Sequence, residues 1–135
     1  MPFQGTGIIE YTYTINDDDL EPTMQFTTTS SLGSESTSSV DFEVSLSTIS
    51  AIDASTNYTV AGVSATSGND FTLSSGTITI PSGSTTANIT ANINNDVEVE
   101  LNETFTITLV SPTSDATLGA NTVHTYTITD DDTFG

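Results

Sequence analysis

Val40-Asp41-Phe42-Glu43-Val44-Ser45-Leu46 places an apolar side chain at every second position, with an acid or a serine between. A helix would scatter these residues around its axis, whereas a strand sends them to opposite faces, so the segment reads as a half-buried β-strand. The same alternation recurs outward in both directions. It appears in Thr12-Tyr13-Thr14-Ile15, Asn57-Tyr58-Thr59-Val60, Thr77-Ile78-Thr79-Ile80, Ile89-Thr90-Ala91-Asn92-Ile93, Phe105-Thr106-Ile107-Thr108-Leu109 and Tyr126-Thr127-Ile128. Turn formers separate the runs, as at Gly68-Asn69-Asp70, Pro81-Ser82-Gly83 and Pro112 to Ser114. No segment shows a convincing helical pattern, and the reading is an all-β antiparallel sandwich. Its expected core is Phe42, Val44, Leu46, Tyr58, Val60, Phe71, Ile78, Ile80, Ile89, Ile93, Phe105, Ile107, Leu109, Tyr126 and Ile128.

The chain has 135 residues, 18 Asp plus Glu, and no Lys, Arg or Cys, for a formal charge of -18. That length suits one domain. With no basic side chain to displace phosphate counterions or meet an anionic lipid surface, nucleic acid and membrane partners are not expected. No apolar run approaches the roughly 20 residues that span a bilayer. Met1-Pro2-Phe3-Gln4 lacks the basic and apolar regions of a signal peptide, so any export signal is expected outside this sequence. Zero Cys excludes disulfides, thiolate metal sites and Cys nucleophiles, and zero Lys excludes Schiff bases and Lys isopeptide links. The chain offers no trypsin-type cleavage site, which suits exposure outside a cell. A Thr-rich surface can order water as an ice-binding face does, but that role wants a flat repeated array, and these Thr are spread over every strand.

Tyr11-Thr12-Tyr13-Thr14-Ile15-Asn16-Asp17-Asp18-Asp19 echoes His124-Thr125-Tyr126-Thr127-Ile128-Thr129-Asp130-Asp131-Asp132 at an offset of 113 residues. Such an echo is the mark of a tandem array. Residues 1–19 then read as the last strand and acidic linker of a preceding repeat, and residues 20–135 as one sandwich domain. A second reading has this extra N-terminal strand donated to a neighbouring chain, as in a strand-complemented fibre. It ranks lower because the chain carries its own copy of the last strand.

Eleven of the acids fall in three places: Asp17 to Asp19 with Glu21, Asp96 to Glu103 with Glu98 and Glu100 between, and Asp130 to Asp132. All three abut strand ends. Carboxylates crowded together without Lys or Arg are relieved by protonation or by a hard cation. Calcium accepts six to eight oxygen ligands in irregular geometry, whereas magnesium demands near-octahedral order. An acidic run is also a common solvated surface that keeps a strand edge from pairing, and no D-x-D-x-D-G loop is present. From the residues alone both readings stay open.

Five segments in register carry a resemblance. They are Gly62-Val63-Ser64-Ala65-Thr66-Ser67-Gly68-Asn69-Asp70-Phe71; Gly76-Thr77-Ile78-Thr79-Ile80-Pro81-Ser82-Gly83; Asn94-Asn95-Asp96 with Glu100-Leu101-Asn102-Glu103-Thr104-Phe105; Ala116-Thr117-Leu118-Gly119; and Asp130-Asp131-Asp132. In order and spacing this resembles the Calx-beta domain over about Leu20 to Asp132. The resemblance implies a seven-stranded immunoglobulin-like sandwich, with calcium held at one end in some members and a purely structural role in others. Carried over by position, it implies metal ligands at Glu35, Asp70, Asp96, Glu100, Glu103, Asp130, Asp131 and Asp132, converging where the next repeat emerges. Asn95 stands where a second acid is often found in calcium-binding members; its amide oxygen can coordinate but brings no charge. By the same logic Asp17, Asp18 and Asp19 would complete a site of the preceding repeat.

Catalysis finds little support. His124 aligns with Tyr11 in the echo, a substitution that points to packing, and no G-x-S-x-G elbow is present. Glu100 and Glu103 as a glycosidase pair would lack a Trp platform and a cleft. A calcium-dependent sugar-binding module on a cell surface is the stronger rival; it needs free aromatics, yet Tyr58, Phe71 and Phe105 fall on core positions. Asn57-Tyr58-Thr59, Asn88-Ile89-Thr90 and Asn102-Glu103-Thr104 match a glycosylation pattern that arises easily in a Thr-rich chain. The expectation is therefore a non-enzymatic, calcium-binding repeat of a large microbial surface adhesin or filament protein. Its expected partners are neighbouring repeats or protomers head to tail, with cell-surface glycans or proteins as further candidates.

Overall fold

Alternation becomes pleat in the longest strands. The computed structural model describes residues 22–96, 98–112 and 116–130; the expected strand Thr12–Ile15 and the expected boundary at residue 19 lie outside these residues. In chain order the strands are β1 (Thr23–Phe26), β2 (Ser30–Ser34), β3 (Ser39–Leu46), β4 (Ala54–Gly62), β5 (Phe71–Thr72), β6 (Gly76–Ile80), β7 (Thr86–Ile93), β8 (Glu103–Pro112), β9 (Thr117–Leu118) and β10 (Val123–Thr129). They form two five-stranded sheets, ordered β9-β1-β3-β7-β5 and β2-β10-β8-β4-β6. The class is the all-β sandwich expected, but the described residues hold ten strands rather than seven.

The difference has a local cause. Residues 23–34 supply two strands, because the chain pairs first with β3 in one sheet and then crosses at Thr27–Thr29 to pair with β10 in the other. Both β1–β9 and β2–β10 are parallel pairs, while the remaining pairs are antiparallel. β5 and β9 contain two residues each, too few to show a period.

Inward residues of the two sheets meet through rings. Phe42 crosses the sandwich to Phe105, Tyr126 and His124, with centroids 6.0, 5.5 and 4.9 Å away, and Phe71 stacks on Phe105 at 3.9 Å. Phe26 reaches His124 at 5.5 Å. These edge-on and stacked arrangements suit the ring quadrupoles and fill the space between sheets. Met24, Phe26, Ala54, Ala65, Ala91 and Ala116 join the core beyond the expected set, while Tyr58 and Val60 are only partly buried. The register of β4 against β8 shifts between Thr56 and Tyr58, which disturbs the regular inward alternation of that strand.

Strand direction sets two poles. Thr23, the 47–53 loop, the 81–85 turn and the end of β8 lie at the amino-terminal pole. The opposite pole collects the ends of β2, β4, β7 and β10 and the start of β8. The turns foreseen at Gly68 and Gly83 are closed by Asn69 N–H to Thr66 O (3.2 Å) and Ser84 N–H to Pro81 O (3.0 Å). Each has its glycine at positive φ, +90° and +82°.

Candidate metal centre

Glu35 follows β2 directly. Its N–H donates to Thr129 O at 3.0 Å, extending the parallel pairing of Ser34 with Thr129 by one residue. A Cβ at Gly33 would run into Tyr126 Oη, so the missing side chain lets β2 lie close over β10 and carries Glu35 inward. The Glu35 side chain is only 4% exposed. A carboxylate at that depth is costly as a bare charge.

Asp70 is held by its own turn. Its Oδ2 accepts from Thr66 N–H at 2.7 Å, its N–H donates to Thr66 O at 2.9 Å, and its carbonyl accepts from Asn94 N–H at 3.0 Å. Asn94 Nδ2 also donates to Gly68 O and Asn69 O, each at 3.0 Å, and so locks the 66–70 turn onto the end of β7. Sequence reasoning quoted Asn94 but gave it no role; its place directly after the last inward residue, Ile93, was the available signal.

The loop leaving β7 supplies the remaining acids. Asp96 Oδ1 accepts from Glu98 N–H at 2.9 Å, and Glu100 N–H donates to Asp130 Oδ2 at 2.7 Å. Asp130 N–H in turn donates to Asn102 Oδ1 at 3.3 Å, tying the end of β10 to the same loop. Glu103 opens β8 opposite Ile128 and shares a side-chain hydrogen bond with Asp70.

Two triads result. Glu35, Asp96 and Glu100 each offer a carboxylate oxygen within 4.8 Å of the others, and so do Asp70, Glu100 and Glu103. Glu100 belongs to both. Of the eight expected ligands, five thus gather here, and Asp130 touches the group through the Glu100 backbone. Asp131 and Asp132 lie outside the described residues, as do Asp17, Asp18 and Asp19.

The electrostatics are those of uncompensated like charge. Desolvation, then the charges of Asp96, Glu103, Asp70 and Glu98, push the Glu100 carboxyl above its ordinary 4.5. Glu103 rises from the same value through desolvation, the charge of Asp70, the hydrogen bond with Asp70 and the charge of Asp96. No Lys or Arg exists to offset them. Exposed acidic groups are common without an ion, but these include a deeply buried carboxylate and a shared member. Oxygens within 4.8 Å of one another stand close to the spacing of ligands around a calcium at 2.3–2.6 Å, and small side-chain shifts would bring either triad onto one ion. The donor set is oxygen only, which suits a hard cation and not zinc. Calcium bound here would supply positive charge to Glu35, Asp96, Glu100, Asp70 and Glu103.

His124 does something else. It is buried between Phe26 and Phe42, with Nδ1 2.7 Å from Thr28 O and Nε2 2.7 Å from Ser31 Oγ. A neutral ring with Nδ1–H donating and Nε2 accepting satisfies both partners, and burial pushes its pKa below 6.5. Because Thr28 lies in the crossover between sheets and Ser31 just beyond it, the ring pins that crossover.

The Calx-beta domain family matches residues 17–132 of the chain. Among solved structures, the apo-form Calx CBD1 domain is 24% identical, with a TM-score of 0.78 over 84% of this chain and 100% of that one. The calcium binding domain CBD12 of CALX1.1 is 25% identical, with a TM-score of 0.77 over 83% of this chain. CBD12 from CALX1.2 is 25% identical, with a TM-score of 0.76 over 81% of this chain. The chain spans 45% and 47% of the lengths of the CALX1.2 and CALX1.1 structures, respectively. No curated protein matches it.

Proposed function

Because this chain belongs to the Calx-beta domain family, we propose that it is a calcium-binding structural repeat of a large extracellular adhesin or filament protein, in which the ion stiffens the junction between repeats. One observation carries the reading: two carboxylate triads sharing Glu100 stand at the pole from which the chain departs through Asp130. An ion there offsets like charges that otherwise repel. It also links β2, the 66–70 turn, the β7–β8 loop and the start of β8, which is how binding at a strand end becomes mechanical order. The absence of Lys and Arg, and with it of any trypsin-type cleavage site, supports an extracellular setting. Among the described residues no helix is long and apolar enough to cross a membrane.

The test is thermal unfolding of the full chain in calcium, magnesium and chelator. A site filled at a hundred times its dissociation constant adds about 2.7 kcal/mol. Calcium is expected to raise Tm well above the chelator value and magnesium to raise it far less. A Tm indifferent to millimolar calcium would overturn the reading.

A further inference from the structure

Large apolar side chains stand exposed on loops at both poles. At the acidic pole Leu101 is 88% and Val63 68% exposed; on the 47–53 loop at the amino-terminal pole Ile49 is 60% and Ile52 53% exposed. Both loops are held by their own bonds. Val63, Ser64 and Ala65 all donate N–H to Thr104 O at 2.9–3.1 Å, and a Cβ at Gly62 would strike the Ala65 carbonyl. Across the molecule, Gly83 N–H reaches Ser50 O at 3.0 Å, Ile52 N–H reaches Ser50 Oγ at 3.2 Å, and Ser82 N–H reaches Asp53 Oδ1 at 2.9 Å. The apolar tips are therefore presented on ordered loops.

Charge and chain length say what covers them. Asp53 is the only acid among residues 47–53, 81–85 and 116–122, whereas the opposite pole carries Glu35, Asp70, Asp96, Glu98, Glu100, Glu103 and Asp130. A second acidic pole would be repelled strongly; the amino-terminal pole of another copy, with far fewer acids, would be repelled much less. If Asp17–Asp19 occupy in the preceding module the place of Asp130–Asp132, only Leu20, Glu21 and Pro22 separate that triplet from Thr23, where β1 starts. Such a linker spans roughly 14 Å at full extension, so the two poles face each other at short range.

We propose that Ile49 and Ile52 of one module pack against Leu101 and Val63 at the acidic pole of the preceding copy, so that an apolar contact beside the carboxylate triads sets the angle between modules. This rests on the tandem reading given above. The contact is small, but the linker holds the surfaces at high effective concentration, and little area is needed. It is heterologous and does not close on itself, which yields a linear array.

The test is a two-module protein in which residues 20–135 follow Asp132 of a full chain, studied by small-angle scattering with calcium and with chelator. Calcium is expected to give one narrow, rod-like distance distribution. Ile49→Ser with Ile52→Ser in the second module, or Leu101→Ser in the first, is expected to lose that narrowing while each module still binds calcium. Leu32→Ser, on exposed β2, is expected to keep it. Narrowing that survives both pole variants overturns the apolar contact and leaves calcium stiffening intact. A wild-type tandem equally flexible in calcium and chelator overturns both.

Discussion

The two poles of this sandwich are made by the same strands and differ in how their loops are satisfied. At the amino-terminal pole the lone acid of the 47–53 loop, Asp53, accepts a backbone N–H from Ser82, and the neighbouring turns close on Ser50 and Pro81. At the other pole Asp70, Asp96 and Asp130 likewise accept N–H groups, yet Glu100 and Glu103 remain in a field of like charge that no side chain of this chain can offset. The first pole is complete with its own atoms. The second is electrostatically incomplete, and that is what marks it as the candidate site.

The largest expected effect is one that ignores the distinction. Phe105→Ala removes the ring that meets Phe42, Phe71 and Tyr126 and should cost about 3–5 kcal/mol. Denaturant unfolding should show the same loss in calcium and in chelator; a loss seen only in calcium would mean the core depends on the ion.

Glu100→Gln sharpens the comparison, because it removes the charge common to both triads. Most of the calcium-dependent rise in Tm should vanish, and the chelator Tm should increase as repulsion with Asp96 and Glu103 falls. Equal calcium response in the variant would place the ion elsewhere.

Asn94→Ala tests whether the acidic pole is preorganised. It deletes the side-chain bonds to Gly68 O and Asn69 O, and should cost about 1–3 kcal/mol. Calcium affinity measured by titration calorimetry should weaken as the Asp70 turn loosens.

A pH series breaks the tie between solvated acids and an ion site. Glu100 and Glu103 titrate above 4.5 in the folded protein, so the folded state keeps protons that the unfolded chain has already lost. In chelator their contribution to stability therefore rises as pH falls through the raised values towards 4.5. In calcium the same protons compete with the ion, and the stability it adds should fall over that window. Melts whose slopes agree in the two conditions would count against the site.

The smallest effect belongs to the complete pole. Asp53→Asn keeps an acceptor for Ser82 N–H, and should shift stability by less than about 1 kcal/mol with no change in calcium response.

How much was legible beforehand follows from range. β3, β7, β8 and β10 each bury alternate residues over several pleats, and that period stands in the sequence. β5 and β9 have two residues and exist only because a partner lies beside them. The segment 23–34 was missed because Thr and Ser dominate its centre, and its change of sheet is held by Phe26 and by His124, whose bonds to Ser31 and Thr28 span 93 and 96 residues. Glu35, Asp70, Asp96, Glu100 and Glu103 were marked by position within a resemblance, but nothing local in the sequence brings Glu35 to Asp96.

The sequence by itself determined that this chain is a β-sandwich with an unbalanced negative charge, since alternation and composition are properties of neighbours and of sums. Tertiary structure alone decided which carboxylates crowd one another. Their interaction depends on separation in space, and that separation is set by the strand pairings that bring Glu35, Asp70 and Glu100 to one end.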